Sequence, residues 1–132
     1  MKSKTSKYLL GISFVSTFGG HPVCCAASLA TLTTLVEDRN IIQSVERKEQ
    51  IFRENLQHPK IKEVRGKGLM LAIELDDSKY CQYLVEKSYE HGLIMFFFLF
   101  TNTAVRLSPP LIISEVEIIK SCSTIKNILN EI

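Results

Sequence analysis

The chain has 132 residues, of which 45% are hydrophobic and 23% are charged, and these proportions indicate a globular protein rather than a disordered one. Sixteen Lys and Arg against 14 Asp and Glu leave a net charge of only +2, which argues against a nucleic-acid or anionic-membrane partner. The longest apolar run, residues 93 to 100, is too short to span a bilayer, so an integral membrane protein is excluded.

The N-terminal segment allows two interpretations. Lys2, Lys4 and Lys7 precede an apolar stretch at residues 8 to 15, which is typical of a secretory signal peptide and keeps export as an alternative. Gly-Gly-His-Pro at residues 19 to 22 argues against export, because a cleavage region should be open and extended. No clear element is predicted before the first helix, and so abrupt a start suggests a fragment.

Two helices are predicted next. Pro22 suits the first position of a helix over residues 22 to 37, with His21 as its cap. This helix is apolar nearly all round, as expected if it packs between two domains. Asn40 is predicted to cap a second helix, which His58-Pro59 ends.

The apolar pattern then changes to that of strands. Residues 61 to 64 and 69 to 75 are predicted strands, joined by a bend at residues 65 to 68 whose glycines are interpreted as turn residues. Asp76, Asp77 and Ser78 offer caps for a helix over residues 79 to 91, and Gly92 provides its stop.

The last elements are two strands and a helix. A buried strand is predicted from Leu93 to about Phe98, and a short strand over residues 103 to 107 ends before Ser-Pro-Pro. Ser114 and Glu117 fit a capping box for a helix running to the C-terminus. The sequence therefore predicts an α+β fold, with helices packed on one face of a small, mostly antiparallel sheet.

The cysteines and histidines predict no metal site, because none has the spacing of a ligand pair. Buried, reduced thiols of a cytoplasmic protein are the simplest interpretation. The four cysteines are Cys24, Cys25, Cys81 and Cys122.

Ser16-Thr17-Phe-Gly-Gly-His-Pro22 is the most informative local feature. Two hydroxyls precede a Gly-Gly turn that leads into a helix, so backbone N–H groups, side-chain donors and the helix dipole converge where they favour a phosphate. Simple capping of the helix by Ser or Thr, with glycine for the turn, is the alternative.

Three segments together resemble the class III, pyridoxal-phosphate-dependent aminotransferases, which include ornithine, acetylornithine and 4-aminobutyrate aminotransferases. They are residues 16 to 27, residues 64 to 74 (Val-Arg-Gly-Lys-Gly-Leu-Met-Leu-Ala-Ile-Glu) and residues 105 to 111 (Val-Arg-Leu-Ser-Pro-Pro-Leu). The resemblance covers residues 16 to 132, the C-terminal third of a family subunit. It implies that residues 1 to 37 hold the end of the large cofactor domain of a fold-type I transferase and the start of the inter-domain helices, and that residues 38 to 132 form the small C-terminal domain.

The resemblance also implies site residues. In this family the threonine of the motif bonds the phosphate of pyridoxal 5'-phosphate held by the partner subunit of a homodimer, which assigns that role to Thr17, with Ser16 beside it. Arg106 matches an arginine at the active-site mouth that pairs with a substrate carboxylate or a protein glutamate. From the residues alone, a surface ion pair is the alternative for Arg106.

No catalytic residue is predicted. The family's Schiff-base lysine and the residues that hold the cofactor ring lie upstream of the Thr17 motif, and Lys2, Lys4 and Lys7 are too close to that motif to replace the lysine. The leading hypothesis is an inactive C-terminal fragment of a cytoplasmic enzyme that moves an amino group between an amino donor and a 2-oxo acid. A standalone, non-catalytic module that binds a small ligand or another polypeptide is the alternative.

Overall fold

The computed structural model describes Thr17 and residues 19 to 132. The predictions for Ser16 and for residues 1 to 15 lie outside these described residues. The chain divides between Glu37 and Asp38 into two compact units. The helices and strands are α1 (Pro22–Glu37), α2 (Arg39–Asn55), β1 (Ile61–Lys67), β2 (Met70–Leu75), α3 (Ser78–Glu90), β3 (Phe96–Phe98), β4 (Thr101–Leu107) and α4 (Glu115–Asn130).

The first unit contains α1, which begins at Pro22 as predicted. Its first hydrogen bond runs from the Cys25 N–H to the His21 carbonyl at 2.9 Å. No side chain of α1 is buried, and apolar residues such as Leu29 are exposed. Cys24 and Cys25 are exposed as well, so the prediction that all four thiols are buried is wrong for this pair. The described part of this unit consists of one helix, without a second layer of structure that would cover these apolar and cysteine side chains.

The second unit is an α+β structure in which α2, α3 and α4 pack on one face of a four-stranded sheet. The strand order is β1-β2-β4-β3 and every pair is antiparallel, which confirms the predicted fold class. Alternate strand residues point to opposite faces, and one set forms the core with the helices. That core includes Leu71, Ile73, Val105, Phe52, Leu84, Ile118, Ile125 and Leu129.

Helix caps follow the prediction in α3 and α4 but not in α2. The Asp77 side chain accepts from the Lys79 N–H, and Ser114 with Glu117 forms the predicted capping box. In α2 the cap is Asp38, whose side chain accepts from the Asn40 N–H at 3.1 Å. The prediction of Asn40 as cap is therefore wrong, because the carboxylate two residues earlier already serves that N–H group and favours the positive helix end.

The predicted bend at residues 65 to 68 is mostly strand. Arg65 and Gly66 pair with Ala72 and Leu71 across the hairpin, so β1 is three residues longer than predicted. Gly66 has a φ of 125°, and a Cβ there would lie 2.2 Å from the Met70 carbonyl oxygen. Glycine is needed at this position because the partner strand comes too close for a side chain.

The predicted buried strand from Leu93 is shorter and more exposed than expected. β3 holds only three residues, and Phe96 and Phe97 are 60% and 46% exposed. An apolar run does not reveal which strand lies at a sheet edge, and here β3 is that edge. β4 begins at Thr101 rather than Thr103, because Phe98 pairs with Thr101 around a two-residue turn.

Candidate functional site

Arg106 lies on the face of the sheet that points away from the helices, which we call the outer face. Ala72 of β2 pairs with Arg65 on one side and with Arg106 on the other, and residues paired directly across strands share a face. Because the flanking Leu71 and Ile73 belong to the core, Ala72 and both arginines project to the outer face. The small alanine leaves space between two guanidinium groups.

That space is a cleft of about 450 Å³. The aromatic ring of Phe98 lies beside both arginines, with its centroid 5.2 Å from Cζ of Arg106 and 6.0 Å from Cζ of Arg65. These distances are those of cation–π contacts. The residues lining the cleft include Arg65, Gly66, Met70, Phe98, Arg106 and Ser108.

The two arginines differ in their charge partners. Nη2 of Arg65 lies 3.1 Å from Oε2 of Glu74, and the Thr103 hydroxyl donates to the other Glu74 oxygen at 2.5 Å. The Thr103 hydrogen bond, followed by that of Arg65, lowers the pKa of Glu74, so this carboxylate is charged at neutral pH and neutralises Arg65. Arg106 has no carboxylate within 4.0 Å among the described residues.

Arg106 and Ser108 also border a second cavity, of about 300 Å³. Its wall is mostly apolar and includes Phe52, Leu93 and Ile125. Phe52 and Ile125 belong to the core formed with the helices, on the side of the sheet opposite the Arg106 side chain.

Thr17 belongs to the first unit, on the turn that leads into α1. It is exposed, as are Gly19 and Gly20; Gly20 has a φ of 78°, and no atom lies within 4 Å of the place where its Cβ would be. The N–H groups of Val23 and Cys24 precede the first helical hydrogen bond. The sequence from Thr17 to Val36 holds no acidic residue, so the described donors suit an anion such as a phosphate.

The predicted site residues thus lie in different units, Thr17 in the first and Arg106 in the second. The sequence analysis missed Arg65, Glu74 and Phe98, which accompany Arg106 on the outer face. The signal for Arg65 and Glu74 was the alternation of side chains along β1 and β2, once Arg65 is placed in a strand rather than in a bend. Phe98 lies in β3, and its place beside Arg106 depends on the pairing of β3 with β4.

Metal and membrane features were searched as well. Across Thr17 and residues 19 to 132, no three His, Cys, Asp or Glu side chains are grouped as metal ligands would be. Within the same residues, no helix combines the length and apolar character needed to cross a bilayer.

Solved structures with the same fold are fold-type I aminotransferases, and the α+β architecture of this chain is that of their small domain. An aminotransferase from Bacillus anthracis matches 92% of this chain with a TM-score of 0.77 and 30% identity, over 31% of its own length. Acetylornithine aminotransferase from Elizabethkingia anophelis matches 92% with a TM-score of 0.74 and 30% identity, over 33% of its length.

Sequence comparison identifies the family. The model of the family "Aminotransferase class-III" matches residues 3–129. Acetylornithine aminotransferase of Caldanaerobacter subterraneus is 37% identical over 89% of this chain and 30% of the relative, and ornithine aminotransferase 2 of Staphylococcus aureus is 39% identical over 86% and 28%. The chain belongs to the class-III aminotransferase family, which confirms the predicted resemblance, and it spans about 30% of the length of these relatives.

Proposed function

We propose that this chain is the C-terminal part of a pyridoxal-phosphate-dependent enzyme that moves an amino group between an amino donor and a 2-oxo acid. The observation that carries the proposal is the exposed guanidinium of Arg106, which has no acidic partner in the described chain and lies in a cleft of a class-III aminotransferase fold. The division after Glu37 supports a boundary between the end of a large cofactor domain and a small C-terminal domain. The free cysteines support a reducing, cytoplasmic location.

Arg106 is proposed to bind the substrate carboxylate. A guanidinium is permanently charged and offers two parallel N–H donors to one carboxylate, which fixes both the position and the orientation of the ligand. Arg65 is less suited to this role, because Glu74 already accepts from it at 3.1 Å.

Thr17 is proposed to bind the phosphate of pyridoxal 5'-phosphate across the subunit boundary of a homodimer, and Ser16 is proposed to contact the cofactor or the substrate beside it. The exposed Thr17 hydroxyl, the open turn at Gly20 and the free N–H groups at the start of α1 fit a phosphate. When bound, the cofactor supplies an electron sink for the amino-acid carbon. The role of Thr17 and of the N–H groups at the start of α1 is to hold its anionic end.

The 132 residues by themselves are proposed to be inactive. Transamination needs a lysine that attaches the cofactor and moves a proton. In the family this lysine lies upstream of the Thr17 motif, where the sequence has only Lys2, Lys4 and Lys7, and these three are too close to the motif to replace it. Incubation with pyridoxal phosphate, followed by borohydride reduction and mass spectrometry, should give no stoichiometric lysine adduct, whereas a full-length class-III enzyme treated in parallel should give one. A stoichiometric adduct on this chain would contradict its proposed inactivity.

Carboxylate binding is tested separately, with glutarate as the probe. Its binding is measured by NMR titration of the isotopically labelled chain. Arg106→Gln should weaken glutarate binding about tenfold or more, since a hydrogen bond to a charged group contributes ~1.5–3 kcal/mol. Arg47→Gln is the matched control, because Arg47 is half-exposed and lies 3.9 Å from Glu115, away from the cleft. Equal binding by the Arg106 variant and the control would refute the assignment.

A further inference from the structure

Phe98 differs from the apolar residues around it. Leu99 and Phe100 are 90% and 99% exposed, and Phe96 and Phe97 are 60% and 46% exposed, whereas Phe98 is partly buried. Two guanidinium groups lie against its ring. The partial burial of Phe98 on an edge strand therefore coincides with its contact to charged side chains rather than with the hydrophobic core.

The backbone holds this ring in place. Phe96 pairs with Arg106, and Phe98 pairs with Thr101 next to the two-residue turn that closes the β3–β4 hairpin. The register shifts between Phe97 and Phe98, and such a shift redirects the side chain that follows it. The position of the ring beside Arg106 is thus set by hairpin geometry.

A guanidinium stacked on a ring can still bind an anion. Cζ of Arg106 lies 5.2 Å from the ring centroid, and an arginine that packs its flat face on an aromatic ring keeps its N–H donors pointing outward in the plane of the group. Arg65 uses those donors on Glu74. Within the described chain, Arg106 has no hydrogen-bonded side-chain partner, so the ring is the contact that restricts its orientation while its donors stay free.

We propose that Phe98 is a positioning residue for Arg106, holding its guanidinium so that the donor edge faces the cleft before a carboxylate arrives. The proposal rests on the proposed role of Arg106 in carboxylate binding. An arginine that is already ordered loses less rotational freedom when a ligand binds. Loss of the ring should therefore weaken carboxylate binding roughly three- to tenfold, without removing the charge that attracts it.

The test uses the full chain, labelled with ¹³C and ¹⁵N, and two readouts. The first is the relaxation of the Arg106 Nε–H group without ligand, which reports side-chain order. The second is the affinity for glutarate. Phe98→Leu keeps an apolar side chain but removes the ring, Phe98→Tyr keeps the ring, and Phe100→Leu is the control because Phe100 is 99% exposed.

Phe98→Leu should make the Arg106 Nε–H more mobile and weaken glutarate binding, whereas Phe98→Tyr and Phe100→Leu should behave as the unmodified chain does. Unchanged Arg106 mobility in a folded Phe98→Leu protein would overturn the proposal. Increased mobility together with no glutarate binding by the unmodified chain would uphold the positioning role and refute the carboxylate site. Should Phe98→Leu fail to fold, the ring-current shift of the Arg106 Nε–H in the unmodified chain decides, and its absence overturns the proposal.

Discussion

Glu49 joins helix α2 to the hairpin that carries Arg65. Its Oε2 accepts from the Gly68 N–H at 2.5 Å, and its Oε1 accepts from Arg53 at 2.9 Å. Arg53 in turn donates to the Gly66 carbonyl at 2.9 Å and to the Val64 carbonyl. One carboxylate and one guanidinium thus fix the end of β1, and hence one wall of the cleft, against the helix layer.

We predict that Glu49→Gln lowers the free energy of unfolding by ~1–2 kcal/mol at neutral pH. A hydrogen bond to a charged group contributes ~1.5–3 kcal/mol and a neutral one ~0.5–1.5 kcal/mol, so two weakened bonds cost about 2 kcal/mol. The lower end of the range allows for solvent around Arg53, whose side chain is 37% exposed.

The loss should depend on pH in a definite direction. The hydrogen bond from Arg53, followed by that from Gly68, lowers the pKa of Glu49 below its ordinary value of 4.5. A depressed folded-state pKa stabilises the protein fully above the unfolded pKa, and this contribution disappears as the pH falls through the folded value. The difference between the unmodified chain and Glu49→Gln should therefore shrink in acid.

Urea unfolding at about pH 7 and about pH 3 measures this difference. Tyrosine fluorescence is a suitable probe because Tyr80, Tyr83 and Tyr89 all lie in α3. The midpoint for Glu49→Gln should fall by about 0.5–1 M urea at neutral pH and by much less in acid. Glu54→Gln, an exposed change on the same helix, is the control. An equal loss at both pH values, or in both variants, would refute the role of the Glu49 charge.

Three further predictions address backbone, capping and thiols. Gly66→Ala should cost about 3 kcal/mol or more and lower Tm by about 10 °C or more, because the new Cβ would lie 2.2 Å from the Met70 oxygen; a change of a few degrees would contradict this clash. Ser114→Ala should cost about 1 kcal/mol and speed hydrogen exchange in the first turn of α4, and unchanged exchange would contradict the capping box. Burial raises the pKa of Cys81 and Cys122 to about 11. A thiol reagent at neutral pH should therefore label two of the four cysteines quickly, and should label Cys81 and Cys122 only after unfolding. Rapid labelling of all four would contradict this burial. Peptide mapping should identify the fast pair as Cys24 and Cys25.

Local chemistry made much of this fold predictable. The start of α1 follows from the fixed φ of Pro22, and the start of α4 follows from the spacing of Ser114 and Glu117, whose two reciprocal hydrogen bonds need no distant partner. The buried faces of β2 and α4 were likewise predicted from the spacing of their apolar residues. Features that depend on a few neighbouring residues can be read from the sequence.

Features that depend on distant pairing were not predictable. Leu93 to Phe100 is apolar throughout, and nothing within it shows that β3 would lie at an edge with one uncovered side. Arg65 was assigned to a bend because its glycine neighbours are typical of turns, whereas the close approach of β2 explains Gly66. The same limit applies to the site: Arg106 was found through its motif, but its neighbours Arg65 and Phe98 required the register of four strands.

The charge balance of the outer face explains why its cleft should select an anion. Two guanidinium groups and one carboxylate meet there, and both oxygens of Glu74 are engaged, one by Thr103 and the other by Arg65. Arg106 is not among the partners of Glu74, and no described acid lies within 4.0 Å of it. The cleft keeps one uncompensated positive charge against an aromatic ring that attracts cations but cannot neutralise them. A carboxylate supplies the missing charge and fits the free donor edge, and a neutral ligand of the same shape would do neither.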